Sequence, residues 1–296
     1  MVLAKPLNVA LIQTLPTVDL EANLKRVDEL VEKAMTEKPE TEMIVFGEHF
    51  STPLGKEYYE KFAEEVPGPR SEMLCNIAKK YKVNVIGGSF AEKYKDTLYN
   101  TSLSFDKTGN MIGYHRKVHM FDIDIPNKIT AKESDTFTGG TSATLIKVPE
   151  FGVVGEGICY DIRFPELAAI ASRNDAFCML YPSAFNTTTG PLHWSLLARS
   201  RAIDNQVYVI MCSPGRNPDF SYPVYGHSLI VDPSGKILVE AGDGEEILYS
   251  TLEPEAIASF RRNIPLETQR RFDVYKDISD GAVTACIEVQ DTDSDN

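Results

Sequence analysis

Gly157-Ile158-Cys159-Tyr160-Asp161-Ile162-Arg163-Phe164-Pro165-Glu166 is the stretch on which the reading of this chain turns. Ahead of it runs a largely apolar segment, Phe151 to Ile158, with the composition of a buried strand. Behind the cysteine, Pro165 opens a helix, since proline's fixed φ suits the first helical turn and its missing N–H is not needed there. Cys159 therefore falls at a strand-to-helix corner. A thiol at such a corner is expected near the N–H groups and positive dipole end of the helix, which lower its pKa from about 8.5 and favour the thiolate. That is a position for a covalent nucleophile. Standing alone, the same residue reads equally well as a small buried hydrophobe.

Two charged residues occupy comparable corners. Glu48 follows Met43-Ile44-Val45-Phe46-Gly47, a short apolar run, and Lys117 follows the strand-like Gly109 to Tyr114. In chain order, Phe46-Gly47-Glu48-His49-Phe50, His115-Arg116-Lys117-Val118-His119 and the Cys159 stretch resemble the Glu-Lys-Cys signature of the nitrilase superfamily of carbon–nitrogen hydrolases. The resemblance runs from about Leu7 to Lys276 and is nearest to the omega-amidase branch. Phe121-Asp122-Ile123-Asp124-Ile125-Pro126, Tyr181-Pro182-Ser183-Ala184-Phe185-Asn186, Gly190-Pro191-Leu192-His193-Trp194 and Arg199-Ser200-Arg201-Ala202-Ile203-Asp204-Asn205-Gln206 also match that branch.

The resemblance implies an α/β fold of the α-β-β-α sandwich type. It implies one catalytic domain over residues 1–276, followed by a C-terminal tail, 277–296, whose end (291–296) is acidic. It implies a homodimer, no cofactor, and an amidase that hydrolyses the terminal amide of dicarboxylic acid monoamides such as 2-oxoglutaramate or succinamate, through a thioester on Cys159. In that scheme Glu48 is the base, and Lys117 with the backbone N–H of Tyr160 cradles the oxyanion. Glu133 matches a second glutamate beside the catalytic lysine and positions Lys117 and substrate. Arg163, four residues past Cys159, holds a substrate carboxylate; the alternative is a structural ion pair with Glu166 or Asp161. Asn186, Thr187 and His193 are further lining residues, whereas Phe185 packs and Tyr225-Gly226-His227-Ser228 is structural.

One departure from the branch stands out. Its members carry Pro-Glu-Cys-Phe around the glutamate, where this chain has Gly47-Glu48-His49-Phe50. Glycine is expected to loosen the corner, and His49 to add a titrating group at the pocket mouth or to face water. Within the same class, a deaminated glutathione amidase or another nitrilase-family amidase is the alternative. A different class is a non-catalytic nitrilase-like binding protein, against which Glu48, Lys117 and Cys159 all count.

Composition narrows the rest. A net charge of −13 and a pI near 4.9 argue against nucleic acid or an anionic membrane surface as partner; the partner that the resemblance implies is a small-molecule amide substrate. The five cysteines form no CxxC pair and the five histidines show no ligand spacing, so no metal is expected. His115 and His119 are four apart but lie in a segment without helical pattern. Scattered thiols suit a reducing compartment, and no secretory leader or membrane-length apolar run is seen. The expected location is cytoplasmic, with a mitochondrial pool left open. Gly152-Val153-Val154-Gly155-Glu156-Gly157 has the wrong glycine order for a dinucleotide loop, and no GxxxxGK[ST] occurs.

Along the chain, strand-like and helix-like segments alternate: Leu7–Gln13, a helix capped by Asp19, a helix from Ser71, Val83–Gly88, and a hairpin of Tyr99–Phe105 with Gly109–Tyr114. After Pro165 come Phe177–Tyr181, a helix from Pro191 to Asn205, Val207–Cys212, Gly226–Val231 and Ile237–Glu240. Such a mixture predicts helices packed over mixed sheets.

Overall fold

Strand β1 (Leu7–Gln13) is buried along nearly its whole length, and the computed structural model, which describes residues 2–287, shows the reason. Leu7, Val9 and Leu11 enter a core between two sheets, while Ala10 and Ile12 enter a second core beneath helices. A strand buried on both faces loses the polar–apolar alternation of a surface strand. Next come α1 (Leu20–Glu37), β2 (Met43–Phe46), α2 (Lys56–Lys61), α3 (Pro69–Tyr81), β3 (Asn84–Tyr94), β4 (Thr97–Phe105) and β5 (Met111–Arg116). A two-stranded ribbon of β6 (Asp122–Ile125) and β7 (Ile129–Lys132) stands apart from both sheets. The second half supplies β8 (Ala143–Val148), β9 (Gly152–Glu156), α4 (Pro165–Arg173), β10 (Ala176–Pro182), α5 (Gly190–Asn205) and β11 (Tyr208–Cys212). It closes with β12 (Leu229–Val231), β13 (Ile237–Glu240), β14 (Glu246–Leu252), α6 (Pro254–Asn263), α7 (Leu266–Gln269) and β15 (Thr284–Ala285).

One sheet has six strands in the order β14-β1-β2-β3-β4-β5; the other has seven, β13-β12-β11-β10-β9-β8-β15. α1 and α3 cover the outer face of the first sheet, and α4 and α5 that of the second, which makes the α-β-β-α sandwich. β11 repeats the two-faced logic: Tyr208, Ile210 and Cys212 enter the inter-sheet core, and Val209 and Met211 pack under α5. Asp19 caps α1 by accepting from Ala22 N at 3.0 Å, a contact worth about 1 kcal/mol.

The expected strands and helices are found at their places with shifted ends. β9 stops at Glu156 rather than Ile158, because the chain leaves the sheet there to form the nucleophile turn. β3 runs on to Tyr94, pairing with β4 beyond its expected end. The ribbon β6–β7 and strand β14 were not among the expected strands. β15 returns to pair in parallel with β8, and the end 291–296 lies outside the described residues. Among the described residues no helix is long and apolar enough to cross a membrane.

Candidate active site

Parallel strands bring their C-terminal ends to one rim. Glu48 lies just past β2, Lys117 at the end of β5, and Cys159 just past β9, so strand ends from both sheets converge on one cavity of about 650 Å³. Glu48, Lys117, Glu133 and Cys159 all line it, together with Tyr59, Phe121, Asn186 and Tyr222. A second depression, of about 500 Å³ beside α6, holds no nucleophile.

Lys117 is 2% exposed, yet its ammonium sits 3.1 Å from Glu48 Oε1 and 2.9 Å from Glu133. Burial alone would lower its pKa, but the charges of Glu133 and Glu48 outweigh burial and hold it well above the ordinary lysine value. Asn100 Nδ2 donates to the same Glu48 oxygen at 2.9 Å, and Asn100 O accepts from Lys117 N at 2.9 Å. Glu48 lines the same cavity as the Cys159 thiol. Burial raises the Glu48 pKa; Lys117 opposes that shift and Glu133 reinforces it. Glu133, both of whose oxygens lie 2.9 Å from the Lys117 ammonium, accepts from Phe121 N at 2.6 Å through Oε2, tying the base of the ribbon to Lys117.

Cys159 opens a 3-10 turn, Cys159–Arg163, with a left-handed backbone at φ 49°. Non-glycine residues seldom adopt that conformation, and its cost is on the order of 1 kcal/mol or more. The turn overturns the expectation of a lowered thiol pKa. α4 begins only at Pro165, beyond the turn; burial, and next the charge of Glu48, push the thiol well above its usual value. Lys117 and the Ala184 backbone offset part of this.

Asp161 holds the turn. Fully buried, it accepts from Ile158 N at 2.9 Å, His119 N at 2.9 Å, Val118 N at 3.3 Å, His119 Nδ1 at 2.8 Å and His115 Nε2 at 3.3 Å. These donors keep its carboxyl far below the ordinary aspartate range against the opposing effect of burial. One carboxylate thus pins the residue before Cys159 to the two residues after Lys117, and it explains the His115 and His119 spacing without a metal. The sequence reading weighed Asp161 only as a partner for Arg163.

Arg163 meets neither expected carboxylate and is not among the cavity-lining residues. It lies 3.3 Å from His193 Nδ1, with its guanidinium 5.0 Å over Phe185 and 5.6 Å over Tyr160. Tyr160, Thr187 and His193 are likewise outside the lining, whereas Asn186 and Thr188 are in it. Burial, followed by Arg163, lowers the His193 pKa. Asn186 Oδ1 accepts from the Thr188 and Thr189 N–H groups at 2.9 Å, leaving its amide nitrogen unpartnered. Phe185 packs edge-on against Trp194 at 5.2 Å.

His49 neither sits at the mouth nor meets water. It is 1% exposed, at φ 49°, with both ring nitrogens unpartnered and its ring stacked on Tyr59 at 4.5 Å. Nor is the corner loose: a Cβ on Gly47 would come within 2.7 Å of the Ser213 backbone, so glycine lets this loop pass close beneath the end of β11.

The family description carbon–nitrogen hydrolase matches residues 8–262. The chain belongs to the carbon–nitrogen hydrolases of the nitrilase superfamily. It is 50% identical over 285 residues to omega-amidase NIT3 of Saccharomyces cerevisiae, covering 94% of this chain and 98% of that one. Omega-amidase NIT2 of Homo sapiens is 42% identical over 253 residues, 86% of this chain and 91% of that one. The crystal structure of yeast Nit3, described as a member of branch 10 of the superfamily, superposes with a TM-score of 0.85 at 46% identity, over 92% of this chain and 99% of that one.

Two stability measurements check this geometry. Asp161→Asn keeps the shape but removes the charge that several donors face, so unfolding free energy should fall by about 3 kcal/mol in chemical denaturation; a loss below about 1 kcal/mol would show that the carboxylate is not the tie. Burial, followed by Lys117 and Arg70, lowers the His49 pKa to about 3. Above pH about 6.5 the ring is neutral folded and unfolded alike; below that, only the unfolded chain takes up the proton. This residue should therefore remove stability as pH falls from about 6.5 to 3, by up to about 1.4 kcal/mol per pH unit. His49→Phe should flatten the loss in that window, and an unchanged slope would refute a buried neutral ring.

Proposed function

We propose that this carbon–nitrogen hydrolase is an omega-amidase, releasing ammonia from the terminal amide of a dicarboxylic acid monoamide such as 2-oxoglutaramate or succinamate. The observation that carries the reading is the meeting of Glu48, Lys117 and Cys159 in one cavity, in a chain similar to omega-amidases along most of its length. Glu48 takes the thiol proton as sulfur attacks the amide carbon, since thiol and carboxyl are both pushed upward and the proton moves with bond formation. Lys117, kept cationic by its carboxylates, and the Tyr160 N–H meet the oxyanion, each donor contributing about 3 kcal/mol. Glu48 then protonates the departing nitrogen, ammonia leaves, and a thioester remains on Cys159. Water, deprotonated by Glu48, attacks that thioester and frees the acid and the thiol. Glu133 positions Lys117, and Asn186 offers its free amide N–H to substrate.

Substrate charge needs a local cation in so acidic a chain. Lys56, Lys128 and Lys132 line the cavity and take the place assigned to Arg163, with Arg163, Thr187 and His193 acting behind the wall. An ammonia-release assay tests this: succinamate should exceed butyramide, its uncharged shape analogue, by about tenfold or more in kcat/KM. Cys159→Ala should release none, and mass spectrometry of quenched turnover should find the acyl group on Cys159. Equal rates on the two amides would sink the omega-amidase reading, and an active Cys159→Ala enzyme the covalent mechanism.

The reading includes a homodimer in the cytosol. Free cysteines suit that compartment. The outer face of α5 carries Leu192, Leu196 and Ile203 at 66, 58 and 39% exposure, while Trp194, Ala198 and Ala202 bury the other face. Spacing of four and then seven residues puts the exposed three in one stripe. Sedimentation should give twice the 33.0 kDa chain mass, and Leu192→Asp with Leu196→Asp should give the monomer; a wild-type monomer would refute it.

A further inference from the structure

Tyr59, on α2, lines the cavity with Glu48 and Glu133, yet its hydroxyl makes no hydrogen bond to any described residue. The ring is held from behind. His49 stacks on it at 4.5 Å with planes 23° apart, and Phe137 leans against it at 4.9 Å. His49 explains little on its own account, because a buried imidazole with two unpartnered nitrogens is costly next to a phenyl ring. What it supplies here is a flat face that fixes Tyr59.

The charge around the hydroxyl narrows what it can bind. Burial, and then the Glu133 and Glu48 carboxylates, hold the phenol above its ordinary pKa, so it stays a neutral donor. A third carboxylate placed beside those two would be repelled, whereas an uncharged oxygen would accept the hydrogen bond without that penalty. The cations that suit a substrate carboxylate, Lys56, Lys128 and Lys132, line the same cavity, Lys56 on the same helix as Tyr59. An omega-monoamide with its amide at Cys159 and its carboxylate at those lysines would carry its middle carbons through the cavity that Tyr59 lines.

We propose that Tyr59 is a specificity-determining residue whose hydroxyl donates to an uncharged oxygen carried between the substrate's amide and its carboxylate, as in a 2-oxo acid monoamide, and that His49 is the positioning residue behind its ring. The proposal rests on the amidase reading above.

The test compares 2-oxoglutaramate with glutaramate, which has the same chain length and lacks only the oxo group. The enzyme is kept dilute enough that opening of the cyclic form of 2-oxoglutaramate does not limit the rate. Wild type should favour the oxo substrate in kcat/KM, and Tyr59→Phe should reduce that ratio about three- to tenfold, the worth of one neutral hydrogen bond, chiefly through KM. His49→Ala should reduce the ratio similarly, and His49→Phe, which restores the stacked face, should hold it within about twofold of wild type. If wild type shows no preference, or Tyr59→Phe slows both amides equally, the Tyr59 assignment is wrong while the amidase reading stands. If neither amide is hydrolysed, both readings fall. If His49→Phe loses the ratio as fully as His49→Ala, the ring is not the brace.

Discussion

Everything at this site depends on a lysine ammonium buried almost completely in the wall of the cavity. An isolated Lys117 at 2% exposure would give up its proton, because charge in a low-dielectric interior is expensive. Glu48 and Glu133 on either side reverse the balance. The arrangement is mutual: without Lys117, two carboxylates would share one buried space and at least one would stay protonated. Breaking such a cluster at one member leaves a buried charge unpaired, an outcome costing about 3–5 kcal/mol, so the three side chains hold as a group.

The sandwich supplies what that group requires. Its members come from the ends of β2 and β5 and from the base of the ribbon, and the nucleophile comes from the end of β9 in the opposite sheet. Backbone and side-chain ties cross between these elements. Asn100 on β4 grips both Lys117 and Glu48, and Asp161 gathers the chain on either side of the inter-sheet seam. Both faces of the central strands are buried, so a one-residue slip in register would send the side chains fitted to the inter-sheet core under the helices and the reverse. The distances at the site inherit that rigidity.

Much of this was legible in the sequence, and the exceptions share a cause. Apolar runs that stop at a charged or nucleophilic residue mark Glu48, Lys117 and Cys159, because a strand must end where its last buried side chain ends. Asp161 and Asn100 escaped, since their partners lie 42 and 52 residues away and only the fold brings them together. Arg163 misled for a local reason. Four residues beyond Cys159 would share its face in an α-helix, but the turn is of the 3-10 type and carries the side chain toward His193 on α5. His49 misled through its backbone, whose positive φ sends the ring inward. Strand β6 of the ribbon alternates Asp with Ile over four residues, too short a pattern to separate from a loop.

The corrected thiol environment changes how the proposed chemistry runs. A helix end facing Cys159 would have produced a standing thiolate, reactive toward any electrophile that entered. Here burial and the Glu48 carboxylate both disfavour that anion, and Lys117 only partly offsets them. A thiolate formed in advance would add negative charge to a cluster that already holds two carboxylates against one ammonium. Attack on an amide moves the new charge onto the carbonyl oxygen, within the field of Lys117, while Glu48 becomes neutral by taking the proton. The cluster then carries one carboxylate, one ammonium and one oxyanion, so its net charge is the same before and after attack. Reactivity in such a site is drawn out by the substrate carbonyl, and the fold's task is to keep sulfur, carboxyl and ammonium in place until one arrives.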